Sequence, residues 1–138
     1  MKPMTDLLRR ARWLALLVGL MDAGTGLGLL IAPGLVLKLM LVPAPVEEAW
    51  IFVRWVGVFV AAVGASYLWA LWRGGVTRLI VVLECTLLFR TAVAIFVLAA
   101  WHLDALSTAW LSVAATDLAV AALQALLLEQ LGREVSDE

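Results

Sequence analysis

Four apolar segments dominate this sequence, and each is long enough to cross a lipid bilayer. They cover residues 13–32, 55–72, 79–100 and 106–128. An α-helix rises about 1.5 Å per residue, so roughly 20 residues cross about 30 Å of hydrocarbon. Because hydrocarbon contains no water, a spanning segment must satisfy its own backbone amides, and this favours helices. The segments therefore predict an all-α integral membrane protein, a single domain built as a four-transmembrane-helix bundle.

The composition excludes a soluble fold of this size. Hydrophobic residues make up 64% of the 138 residues and the mean hydropathy is +1.03, whereas soluble domains contain roughly 45–50% apolar residues. The formal net charge is -1, and no basic stripe with interleaved aromatics is present. The composition thus predicts the lipid bilayer as a partner and gives no indication of nucleic-acid binding.

The connections between the segments are short, which predicts antiparallel neighbours. Residues 73–78 form a tight glycine-containing turn after the second segment, and residues 101–104 follow the third. Such short connections return the chain directly beside the preceding helix. Residues 35–42 lie between the first two segments and are predicted to form a short helix along the outer membrane surface.

Positive charge predicts the orientation of the bundle, because cytoplasmic loops carry an excess of Lys and Arg. Only Lys38 and Arg54 fall on the side opposite the N-terminus. Seven basic residues fall on the N-terminal side: Lys2, Arg9, Arg10, Arg12, Arg73, Arg78 and Arg133. Tryptophans flank the segments at both predicted interfaces. We therefore expect an N-in/C-in topology with both termini cytoplasmic.

Small residues predict where the helices approach closely. The first segment contains a GxxxG pattern at Gly24 and Gly28, and the second has Gly57 and Gly64 at helical spacing. Glycines let helix backbones approach each other in lipid, where apolar side chains gain little over lipid contact. These glycines indicate contacts within the bundle, with a homo-oligomer or partner contact as the alternative.

Four charged residues lie within the predicted spans: Asp22, Glu84, Arg90 and Asp117. Insertion scales give about 2.5–3.5 kcal/mol for such a residue at a helix centre. We therefore expect all four to face the interior and find partners. Their depths predict a midplane cluster of Asp22, Arg90 and Asp117. They also predict a shallower cluster of Glu84, Tyr67 and Gln124.

The midplane cluster has two interpretations. In the first, Arg90 neutralises one or both aspartates and so fixes how the helices dock. Alternatively, two acids sharing one arginine leave a carboxyl group able to carry a proton or bind a ligand.

Other chemistry has little support in the sequence. His102 could ligate a haem iron or chlorophyll magnesium with Asp104 behind it, or could simply be solvated. One histidine and the single Cys85 predict no metal centre and no internal disulfide. No catalytic residue is predicted, and no cofactor is required; contact with a quinone, lipid or pigment is compatible with the sequence.

The pattern Arg54-x-x-Gly57…Gly64-x-x-Tyr67 follows a first span with Gly19, Asp22 and Gly26 and a Pro33-Gly34 stop. In these features the first half of the chain resembles the DoxX-like group of small four-helix bacterial membrane proteins. The resemblance implies the bacterial inner membrane and, in some members, quinone-coupled sulfur oxidation. The sequence has no cysteine pair or cofactor motif for that chemistry, and no catalytic residues are carried over.

Three functional hypotheses follow. The first is a non-catalytic subunit that scaffolds a larger membrane complex, such as an electron-transfer or other energy-transducing one, with other subunits or a second copy as partners. The second is a DoxX-like protein that binds a quinone or lipid in the Asp22–Arg90–Asp117 pocket. The third is a small proton-coupled transporter, which the strong charge bias disfavours because four-helix exporters of that kind insert in both orientations.

Overall fold

A computed structural model describes the backbone of residues 2–136 and the side chains of residues 4–133. Within this range the chain forms five α-helices and no strand. The helices are α1 (Lys2–Ile31), α2 (Pro33–Leu39), α3 (Trp50–Arg73), α4 (Val76–His102) and α5 (Leu111–Ser136). Short 3-10 turns at Glu47–Ala49 and Thr108–Trp110 precede α3 and α5.

Four of these helices are long and apolar enough to cross a membrane. The candidate spans are Met4–Ile31, Glu47–Arg73, Val76–His102 and Thr108–Arg133. The prediction of an all-helical protein with four membrane-spanning helices is therefore confirmed at the level of length and composition. The helices continue past the predicted apolar segments at their polar ends, because polar residues there can be hydrated at the membrane surface.

The core has separate apolar clusters at the two ends of the bundle. At one end, which we call the inner end, Ala11 of α1 packs in a cluster with Leu79 of α4 and Leu131 of α5. At the other, outer end, Leu29 of α1 packs with Leu37 of α2 and Val42. The buried Asp22 lies between these clusters along α1, four residues after Val18 of the inner cluster and seven before Leu29 of the outer cluster.

The most extensive helix contact joins α1 to α3 and is made by glycines. A Cβ atom at Gly26 would lie 2.6 Å from the carbonyl oxygen of Gly57, and one at Gly64 would lie 2.7 Å from that of Gly19. Both distances are shorter than any real Cβ contact, so the two backbones touch directly. Close backbone approach of this kind is how membrane helices gain packing energy that lipid tails do not already supply.

Of the two glycines in the predicted GxxxG contact, Gly24 makes no contact with another helix of the chain, and the alternative of a homo-oligomer or partner contact stays a prediction. Gly24 is exposed, and a Cβ atom there would meet nothing within 4 Å. Gly28 lies against Val36 of the short helix α2 and not against another long helix. The reason is rotational: Gly24 precedes Gly26 by two residues, which places it about 200° around the helix, on the opposite side.

The outer end of α1 is closed by a side chain from α3. Pro33 has no N–H to offer the carbonyl groups of the last turn of α1, so the helix ends just before it. The Arg54 guanidinium donates from Nη1 to the carbonyl oxygen of Leu30 at 2.5 Å. A cation at a helix C-terminus also interacts favourably with the helix dipole. Arg54 therefore joins the start of α3 to the end of α1.

Replacing Gly64 by alanine should destabilise the protein, because its methyl group would collide with the backbone of α1. We expect a loss of about 1–3 kcal/mol in the free energy of unfolding, the usual range for overpacking. Denaturant titration in mild detergent, followed by far-UV circular dichroism, measures this loss. Gly24→Ala is the matched control on an open face. Equal stability of the Gly64→Ala variant and the wild type would contradict the backbone contact.

Candidate functional site

Arg90 lies between two aspartates that come from different helices. Its Nη2 donates to Asp22 Oδ2 of α1, and its Nη1 donates to Asp117 Oδ1 of α5. The side chains are almost completely enclosed, with 6% of Arg90, 10% of Asp22 and 14% of Asp117 exposed. The structure thus brings the three residues of the predicted midplane cluster together and joins α1, α4 and α5 through one guanidinium group.

Buried charges of this kind are costly to separate. The guanidinium group of an arginine has five N–H donors in a fixed planar arrangement, so it can bind two carboxylates at the same time. Removing one partner from a buried ion pair leaves the other charge without compensation and commonly destabilises a protein by about 3–5 kcal/mol. The cluster carries two formal negative charges against one positive charge, so Arg90 is the member that both aspartates need.

A second group of buried polar side chains connects α3, α4 and α5. Gln124 Nε2 donates to the Tyr67 hydroxyl at 2.7 Å and to Thr86 Oγ1 at 2.9 Å. Tyr67 and Gln124 are completely buried. Tyr67 also neighbours the guanidinium of Arg90. The two groups therefore form one polar network that reaches all four long helices.

Two atoms of this network have no hydrogen-bond partner among the described residues. They are Arg90 Nε, which is a donor, and Gln124 Oε1, which is an acceptor. Buried polar atoms are normally satisfied by protein or by ordered water. One donor and one acceptor left over in the same network could hold a water molecule or a polar group of a small ligand.

Glu84 does not join Tyr67 and Gln124, so this part of the prediction is wrong. Its side chain is exposed, and its neighbours Leu83 and Thr86 occupy the buried face of α4 instead. The buried residues of α4 recur every three or four positions: Leu79, Leu83, Thr86, Arg90, Ala94 and Val97. Glu84 follows Leu83 by one residue, about 100° around the helix, and therefore points away from the bundle.

The remaining candidate residues lie apart from the network. His102 is the last residue of α4 and is exposed at the outer end. Among the described residues, no group of three or more His, Cys, Asp or Glu side chains is arranged to hold a metal ion. The polar network is therefore the candidate site.

One feature of the interior was not predicted from the sequence: the glycines of α1 that pack against α3. Gly19 and Gly26, rather than Gly24 and Gly28, form the face of α1 that meets α3. The two glycines of each helix are seven residues apart: Gly19 and Gly26 in α1, and Gly57 and Gly64 in α3. This shared spacing places each pair on one helix face and is the signal that predicts the contact.

Comparisons of the chain with protein-family models, with characterised proteins and with solved structures found no match. The candidate site is consequently interpreted from its own geometry.

Removal of Arg90 should destabilise the bundle more than any other single change in the network. For Arg90→Met we expect a loss of about 3–5 kcal/mol in unfolding free energy, because two buried carboxylates lose the one cation that pairs with them among the described residues. Unfolding by denaturant in detergent measures it.

The control is the triple variant Arg90→Met, Asp22→Leu, Asp117→Leu, which removes all three charges. Replacing a complete buried ion-pair group by apolar residues is often neutral or stabilising, so this variant should recover most of the lost stability. If the triple variant is as unstable as Arg90→Met, charge compensation is not the reason for the loss.

Proposed function

We propose that this protein is a non-catalytic integral membrane subunit that scaffolds or stabilises a larger membrane complex. The observation that carries the proposal is the pairing of its buried charges with one another. Arg90 is bound by both Asp22 and Asp117 within the chain. Charges paired in this way fix how the helices dock, which supports a structural role for the cluster.

The outer surface of the bundle supports the same role. Bulky apolar side chains are exposed along every long helix, among them Leu17, Phe59, Phe96 and Leu126. Tryptophans are exposed near both ends, including Trp55 and Trp72. Such a surface suits lipid and the apolar faces of neighbouring membrane helices, and tryptophan is enriched at membrane interfaces.

The proposal places the protein in a bacterial inner membrane with antiparallel spans and both termini cytoplasmic. The excess of basic residues at the inner end supports this orientation. The apolar clusters also support it, because the inner cluster combines the start of α1 with the end of α5. Fusion of a periplasm-dependent or cytoplasm-dependent reporter to either terminus tests the orientation.

The scaffold role predicts a stable larger assembly in the native membrane. After mild-detergent extraction, the tagged chain should migrate on native gels well above the mass of one copy. Mass spectrometry should find other membrane proteins in constant proportion to it. The charge-free triple variant should enter the same assembly, because the charges act within the bundle. Recovery of the wild type only as a monomer or homo-oligomer would overturn the proposal.

A second candidate function is binding of a quinone or lipid in a DoxX-like manner. It is favoured by Arg90 Nε and Gln124 Oε1, which have no hydrogen-bond partner among the described residues: the N–H donor suits a quinone or ester carbonyl, and the amide oxygen suits a quinol or lipid hydroxyl. Gln124→Leu should then lower the quinone or lipid content of the purified protein, as measured by solvent extraction and mass spectrometry. Ser66→Ala, on the partly buried side of α3, is the control. Equal ligand content in both variants and the wild type would count against this function.

A further inference from the structure

Glu84 presents a carboxylate on the outside of the bundle at a depth that belongs to the hydrocarbon. It lies eight residues into α4, about 12 Å along the helix axis from Val76. The carbonyl of the preceding residue, Leu83, faces the completely buried Gln124. The inner boundary is marked six residues earlier, where the Arg78 guanidinium lies 5.1 Å from the Trp69 ring.

No described residue of the chain compensates this carboxylate. Glu84 has no hydrogen bond and no ion pair with any side chain in the range 4–133. The two arginines of α4 each lie six residues from Glu84 and are engaged elsewhere: Arg78 donates to the carbonyl of Gly74, and Arg90 pairs with Asp22 and Asp117. The two methylenes of a glutamate are too short to reach from this depth to water, as a long lysine or arginine side chain can.

Glu84 is also a member of a regular stripe on the exposed side of α4. Its members, all exposed, alternate at intervals of three and four residues: Thr77, Val81, Glu84, Leu88, Thr91, Ile95 and Leu98. This is the spacing with which one helix packs along another in membrane bundles. The stripe is therefore a seam of four apolar residues and two threonines with a single charge in it.

We propose that the α4 stripe is the docking seam for a transmembrane helix of another protein, which places a Lys or Arg beside Glu84. This inference rests on the proposed scaffold function and names the partner chemistry. Charge complementarity selects the occupant: an uncompensated carboxylate in lipid needs a cation, and a basic residue within a membrane helix needs an acid. A second copy docked in parallel would set carboxylate against carboxylate and supply no cation at this depth.

A probe helix tests the seam with the full chain. A single-pass helix of leucine and alanine is co-expressed with the protein in bacterial membranes, oriented by basic residues at its cytoplasmic end. One version carries a lysine at the depth of Glu84, and the other carries leucine there. The probe is then captured in mild detergent and the bound protein is quantified. The lysine probe should bind about tenfold more protein than the leucine probe.

Variants of the chain assign this difference to the stripe. Glu84→Leu should reduce capture on the lysine probe to the level of the leucine probe. Glu84→Leu with Cys85→Glu keeps a carboxylate at almost the same depth but moves it off the stripe, and should behave like Glu84→Leu. Equal capture by both probes, or full capture of the Cys85→Glu variant, overturns the inference. Capture between two differently tagged wild-type copies that Glu84→Leu abolishes also overturns it, in favour of self-association.

The native assembly separates this inference from the scaffold function. If the wild type migrates with other membrane proteins and Glu84→Leu does not, both proposals are supported. If both chains migrate in the assembly, the scaffold function stands and the docking seam is wrong. If the wild type migrates alone, the scaffold function fails whatever the probe helices show.

Discussion

The ion pairs of Arg90 with Asp22 and Asp117 are the interaction on which the rest of the bundle depends. In a membrane, apolar side chains lose little when they exchange a neighbouring helix for lipid, so hydrophobic burial holds helices together only weakly. An unpaired charge in lipid is much more costly. One arginine that serves acids on two other helices therefore makes separation of α1, α4 and α5 unfavourable in a way that apolar packing cannot match.

The bundle combines this electrostatic contact with a different kind of contact between α1 and α3. There the helices touch through glycine backbones at Gly19, Gly26, Gly57 and Gly64, and the energy comes from close van der Waals packing. Tyr67 belongs to both systems, because it follows Gly64 by one turn and accepts a hydrogen bond from Gln124 of α5. The close pair of helices is thus joined to the polar network at one buried residue.

Arg90 and Glu84 show how the angular position of a residue around one helix decides whether its charge is paired inside the bundle or faces outward. Both lie in the apolar part of α4, six residues apart. The first faces the other helices and finds two partners, whereas the second faces outward and finds none among the described side chains. Sequence reasoning placed both within the third span, and both lie in the candidate span Val76–His102, since position along a span follows from counting residues at a fixed rise. It assigned Glu84 to the interior because it assumed that every charge within a span must be buried, and this assumption neglects a partner outside the chain.

The sequence by itself determined the number of helices long and apolar enough to span a membrane, their approximate limits and the position of each polar residue along its span. These follow from hydrocarbon thickness, helix rise and the need for internal backbone hydrogen bonds, none of which depends on how the helices pack. It also indicated that Asp22, Arg90 and Asp117 would meet, because opposite charges at one depth have few other partners. Only the tertiary structure decided which face of each helix points inward. That choice put Gly26 rather than Gly24 against α3 and placed Glu84 outside, because a uniformly apolar helix carries little periodic signal to orient it.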